Sequence, residues 1–269
     1  MPDLMNSLYN LRLLDGLARK ETPVHRMHPL VKVLVTLIFL VFVISFDRYE
    51  VIRLMPFFLY PVIIFMLSDI PAIPFLKRIV IAMPFVIGIG ILNPLFDKQT
   101  LVISGVAVSG GWVSFFSILI KSVLTIAAGI LLIATTGMDK IAAALRMLKI
   151  PKIFVLQLLL TYRYISILIE EVARTVRAYS LRAPMQKGIQ RSAWGSLVGQ
   201  LLIRTYDRGQ RVYQAMCLRG FTGEYNTGNY ARLKTGDYVH LLCWTLFFVI
   251  AKIYNIPLLI ESMLKGVIR

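Results

Sequence analysis

Two arginines, Arg182 and Arg219, close two copies of one short pattern and are the groups of this chain best placed to act on a partner. The first copy reads RTVRAYSLRA and the second RVYQAMCLRG. Aligned, they share Arg174 with Arg211, Ala178 with Ala215, Leu181 with Leu218 and Arg182 with Arg219, and each closes on a small residue, Ala183 or Gly220. In both, helix-favouring residues run into the arginine and then meet a breaker, Pro184 just after the first copy and Gly220 within the second. The helix dipole favours a cation in the last turn, and the planar guanidinium fork can reach a partner's carboxylates or carbonyls. Ordinary helix capping would also place one arginine at one helix end. The signal is the repetition, which makes two matched plugs.

Other reactive constellations are missing from the sequence. There is no His-Glu-x-x-His pair, no pair of membrane aspartates, no Gly-x-Ser-x-Gly elbow and no Walker lysine loop, so neither an enzyme nor an ATPase of its own is expected. Gly110-Gly111 is not a phosphate cradle, because no Lys-Ser/Thr follows it. His25 and His28 could share a helix face, but Pro29 follows directly, no third ligand is near and His240 stands apart. A structural or interfacial role is the expectation for them, and no metal site. Cys217 and Cys243 have no disulfide or metal spacing and read as inert thiols. Ser192 with Ser196 and Gly195 with Gly199 form small-x3-small rows suited to a close helix crossing.

At 57% hydrophobic residues and a mean hydropathy of +0.71, the chain is too apolar for a soluble domain of its length. It belongs in a bilayer. Nothing before residue 30 looks like a cleavable signal, which puts the N-terminus in the cytoplasm, with residues 7–32 as a short amphipathic piece at the inner interface. Spans are expected at 30–46, 51–67, 79–96 and 112–134, forming an N-terminal membrane domain over 1–134, and a fifth span begins the C-terminal part, 237–269. Between the second and third spans, SDIPAIPFLKR reads as a cytoplasmic loop. Residues 97–112 read as an external loop holding a short hairpin. Gly88, Gly90 and Pro94 allow close helix approach or a break near the outer end of the third span. Essentially no ionisable residue falls inside these spans away from their ends, which argues against a proton- or sodium-coupled carrier.

Residues 135–237 carry roughly sixteen Lys/Arg against six Asp/Glu, and by the positive-inside rule the region 135–236 is a cytoplasmic or interfacial module. The net charge of +16 is thereby a matter of membrane sidedness rather than of nucleic acid. A short helix begins at Thr136 or Asp139 and ends before Pro151. Residues 152–182 form a helix of about 45 Å, more than a bilayer needs, apolar first and charged later, lying oblique or along the inner interface. If 153–169 crosses instead, the spans number six. Residues 190–216 are plainly helical: Trp194, Leu197, Val198, Leu201, Leu202, Thr205, Val212, Tyr213 and Met216 share one face, and Arg204, Arg208 and Arg211 another. The preceding helix or the membrane underside must cover so wide an apolar face. Crossing the two long helices brings both arginine ends to one cytoplasmic surface. The fold class is therefore an all-α integral membrane protein with about five, alternatively six, transmembrane helices and a module of two arginine-tipped helices.

At these residues the sequence resembles the transmembrane (T) component of energy-coupling factor (ECF) transporters, which carry two short arginine-centred motifs at the ends of cytoplasmic coupling helices. Arg182 and Arg219 match the two arginines and Gly220 the glycine of the second motif, whereas Leu181 and Leu218 stand where the family often has Ala, and Ala183-Pro184 replaces Gly or Ser. Asp15, Leu17, Ala18, His28, Pro29 and Lys32 are similar to the N-terminal pattern of the CbiQ branch, which serves cobalt or nickel. The resemblance implies a subunit of a prokaryotic plasma-membrane ABC importer. Its partners would be two cytoplasmic ABC-type ATPases, which bind ATP, and a membrane substrate-binding component, CbiM-like in the cobalt case, which holds the metal. The docking set would be Leu181, Arg182, Ala183, Leu218, Arg219 and Gly220, supported by Arg174, Ala178, Arg211 and Ala215, with no cofactor in this chain. Three other readings compete: a T component for vitamins, a stand-alone secondary carrier, and a basic platform that binds anionic lipid.

Overall fold

The computed structural model describes residues 16–18, 20–96, 100–103, 106–182, 188–223 and 233–254. Ala183, Pro184 and Asp15, the first part of the expected N-terminal amphipathic piece (7–15), the 224–232 loop and the C-terminal tail lie outside these. Regular structure is helical apart from one short hairpin, and the protein is an all-α integral membrane protein. In chain order the helices are α1 (Pro23–Arg26), α2 (Pro29–Ile44), a 3-10 segment (Ile52–Phe58) running into α3 (Leu59–Leu67), α4 (Ala72–Gly90), α5 (Leu92–Phe96), α6 (Gly110–Thr136), α7 (Met138–Met147), α8 (Lys152–Arg182), α9 (Arg191–Leu218) and α10 (Thr235–Ile253). The hairpin of β1 (Thr100–Ile103) and β2 (Val106–Ser109) pairs Thr100 with Ser109 and Ile103 with Val106. It stands in the expected loop.

Among the described residues, four helical segments are long and apolar enough to cross a membrane: 72–94, Gly110–Thr136, Lys152–Arg182 and Thr235–Ile253. Pro29–Ile44 and Ile52–Leu67 are shorter apolar helices. By length and composition α8 qualifies alongside the other three, which is the condition on which the six-helix alternative rests.

Two boundaries differ from the sequence reading, both through proline. The third span starts at Ala72, not at residue 79, so most of SDIPAIPFLKR is helix and Lys77 and Arg78 lie in it. Pro71 is the N-cap and Pro74 falls in the first turn, where no intrahelical N–H bond is required. The second span opens as 3-10 helix because Pro56 lies inside it, and the Leu59 N–H closes on the Pro56 carbonyl three residues back. At the C-terminal end of α4 the helix does break, at Ile91, and Gly90 permits a close approach: a Cβ there would lie 3.0 Å from the Phe115 ring.

The chain forms two compact units, one of residues 17–137 with 231–254, the other of residues 138–223. In the first, Phe39, Phe57, Tyr60, Trp244 and Phe248 from α2, the 3-10 segment, α3 and α10 make a connected aromatic core, with centroids 4.7 Å apart for Phe39–Tyr60 and 4.9 Å for Tyr60–Trp244. Lipid tails are as apolar as these rings, so what selects this arrangement is shape fit and tilted or edge-on ring geometry.

Helix ends in this unit are tied by polar groups that the sequence reading did not place. Lys32, buried in the first turn of α2, donates to the Thr135 carbonyl at the C-terminus of α6 at 2.9 Å. Lys121 of α6 donates to the Phe46 carbonyl just past the C-terminus of α2 at 2.6 Å. Fourteen residues separate Lys32 from Phe46 and fourteen separate Lys121 from Thr135, about 21 Å of helix rise. The helices therefore run antiparallel, and each lends the other a cation where its free carbonyls and dipole favour one. This corrects the expectation that the spans hold no inner ionisable group: Lys121 is the twelfth of the 27 residues of α6. It passed as apolar because its long stem is. Asp237 completes the frame, accepting from the His28 N–H at 3.0 Å and, through its second oxygen, from the Lys234 N–H at 2.9 Å. One carboxylate caps both α2 and α10. The histidines serve the same turn of chain: His28 Nδ1 accepts from the Leu30 N–H at 3.3 Å, and His25 Nδ1 shares a 2.7 Å hydrogen bond with the Thr22 hydroxyl.

Candidate functional site

The arginine-tipped helices lie in the second unit. Within it, Ala142, Ala143 and Ala144 of α7 and Val155 of α8 are buried, and α7 packs along the start of α8. Helix α8 then runs unbroken for 31 residues, as the absence of Gly and Pro between Lys152 and Arg182 requires. Arg182 is its last helical residue and Leu181 is exposed. Ala183, the last position of the first motif, lies outside the described residues.

Gln190 caps the start of α9, and its N–H donates to the Tyr179 hydroxyl at 3.4 Å, holding the start of α9 against the end of α8. Further along, Glu171 accepts from Arg174 at 2.8 Å and from Arg204 of α9 at 3.0 Å. Glu171 lies 11 residues before the end of α8 and Arg204 13 residues after the start of α9, about 16 and 20 Å from the junction. The two helices therefore run back along each other as a hairpin. Its consequence for the motifs is plain. Arg182 sits at the junction, and Arg219 sits at the far end of α9, about 42 Å of helix rise away. The crossing does not bring the two tips side by side. They face one surface only as far as α9 lies along it.

The second tip is a helix end of defined geometry. The Phe221 N–H bonds the Met216 carbonyl and the Gly220 N–H bonds the Cys217 carbonyl, each at 3.0 Å, with Gly220 at φ +80°. This is the Schellman closure, in which the residue after the cap must adopt the left-handed conformation that glycine takes without strain. Arg219 is the cap itself, thrown outward by the reversal. Leu218 is 89% exposed and Leu181 76%, and neither Arg182 nor Arg219 has a partner among the described residues. An exposed leucine beside an uncommitted guanidinium can fill an apolar hollow and donate to acidic or carbonyl groups at its rim.

The supporting residues divide. Arg174 is committed to Glu171, whereas Arg211, Ala178 and Ala215 are exposed on their helices. Helix α9 buries no residue. Ala193, Leu197, Leu201, Thr205, Arg208, Val212 and Met216 form a partly covered stripe, but Trp194, Val198, Leu202 and Tyr213 remain exposed, so the wide apolar face is covered over only part of its breadth. Among the described residues, the small-residue rows expected to seat a crossing helix do not do so, since nothing lies within 4 Å of a Cβ built at Gly195 or Gly199. Sequence reasoning missed Glu171. Its spacing to Arg174 was legible as an intrahelical pair, but its link to Arg204 was not.

The family pattern described as CbiQ, cobalt transport protein, matches residues 20–230. The chain is 27% identical over 188 residues to an uncharacterized protein of Methanocaldococcus jannaschii, an alignment covering 65% of this chain and 64% of that one. It is 28% identical over 117 residues to the nickel permease LarQ of Lactiplantibacillus plantarum, covering 42% of this chain and 43% of the relative. The chain thus spans less than two thirds of the length of either curated relative. With the family pattern running from the first apolar helix through both arginine-tipped ends, this multi-pass membrane protein belongs to the CbiQ family of cobalt transport proteins.

Proposed function

We propose that this chain is the coupling (T) subunit of an ECF-type importer. It transmits ATP-driven motion from a pair of cytoplasmic ABC-type ATPases to a membrane substrate-binding component of CbiM type. The observation that carries this reading is the pair of exposed Leu-Arg tips, one ending α8 and the other ending α9. Two tips separated by the length of α9 engage two subunits of an ATPase pair, one each. Cobalt or nickel is the cargo that the family and the nickel permease relative favour. The metal and ATP would be held by the partners.

Co-expression with the adjacent genes and pull-down of the tagged chain is expected to recover two ATPase subunits and a membrane partner. Vesicles of that complex should accumulate radiolabelled cobalt or nickel only with internal ATP. Transport by the purified chain alone would favour the secondary carrier instead. Charge asymmetry supports a cytoplasmic position for the arginine-tipped region 174–221. In a variant free of Cys217 and Cys243, cysteines put at Ser180 or Thr222 should react with a membrane-impermeant maleimide only after the membrane is opened, and labelling from outside would overturn this placement.

A further inference from the structure

We propose that Glu171 is a positioning residue of the arginine-tipped module, setting the angle at which α9 leaves α8 and thereby where Arg219 stands. This deepens the coupling-subunit reading and rests on it. Helix α9 has no buried side chain, so little apolar contact fixes its direction. Glu171 supplies what burial does not. Its side chain is only 19% exposed, each carboxylate oxygen takes one guanidinium, and the two arginines come from different helices. Arg174, one turn away, orients the carboxylate so that its other oxygen meets Arg204. The link stands 13 residues from the start of α9 and Arg219 stands 28 residues from it, so a shift of α9 at Arg204 is roughly doubled at the tip. The first copy of the repeat thus spends its leading arginine on geometry, while Arg211, its counterpart, has no partner among the described residues.

The test uses the full chain in lipid nanodiscs, with Cys217 and Cys243 replaced by Ser and spin labels at Gln157→Cys and Gln214→Cys, two exposed positions on the separate arms of the hairpin. Pulsed electron paramagnetic resonance should give one narrow distance distribution for the parent. E171Q and R204Q should each broaden or shift it, the double variant no further, because both remove one interaction, and the exchange E171R/R204E should restore it. In the co-expressed complex E171Q should lower ATPase recovery by at most about fivefold, the upper range for a partly exposed ion pair, while Arg182 and Arg219 still dock. An unchanged distribution in E171Q overturns the proposal, as does a double variant whose change is the sum of the singles. A parent chain that recovers no ATPase would instead refute the coupling-subunit reading, and the distance measurement would still decide the role of Glu171.

Discussion

Arg219→Ala is expected to remove most of the ATPase pair from a pull-down of this protein, and Arg182→Ala to do nearly the same, with each variant still folded in the membrane. A guanidinium seated in a partner's groove makes charge-assisted hydrogen bonds away from water, and its loss leaves the acceptors unpaired at a cost of about 2–5 kcal/mol. Lysine should rescue poorly at both positions, since a single ammonium cannot reproduce the planar fork. The structure selects the controls. Arg211 is exposed on α9 with no partner among the described residues, and its loss should be nearly silent. Arg204 would also have passed for a neutral flank residue, but its bond to Glu171 makes it a poor control. A platform that only binds anionic lipid predicts a graded loss with total charge, in which every arginine counts about equally and lysine substitutes freely. Equal effects at Arg182, Arg219 and Arg211 would therefore sink the two-tip reading.

Asp237→Ala should be the most damaging single change to the fold of the first unit. The carboxylate is buried and accepts the N-cap N–H groups of two helices, His28 for α2 and Lys234 for α10. Each such cap contributes about 0.5–2 kcal/mol, and stranding both donors out of water places the expected loss at about 2–4 kcal/mol. Asn retains one acceptor oxygen and should lose about half of that. The measurement is the thermal midpoint of helix loss in detergent, followed by circular dichroism. A variant with an unchanged midpoint but no transport would show Asp237 to be a transport group rather than a clasp.

Sequence alone determined the class of this protein and singled out the two arginine motifs as its candidate recognition groups. Apolar stretches of span length, a basic stretch between them and an arginine pattern stated twice are all local features. Helix propensity, proline positions and charge bias act over a few residues, so they are legible without a fold. The long helix 152–182 and the closure at Gly220 belong to this group. Even the local reading erred where proline can either start a helix or end one, as at Pro71 and Pro74. Tertiary structure decided what the polar residues do. Lys32 meets a carbonyl 103 residues away, His28 a carboxylate 209 residues away and Lys121 a carbonyl 75 residues away. A helix apolar on all sides carries no periodicity to say which face meets which neighbour, so the sequence could not reveal that Lys121 points at the end of α2. The separation of the two arginines follows the same logic. Their matched motifs are written in the chain, but the hairpin that leaves one at the junction and the other at the far end shows only in contacts between the two helices, such as Glu171 with Arg204, that the folded chain creates.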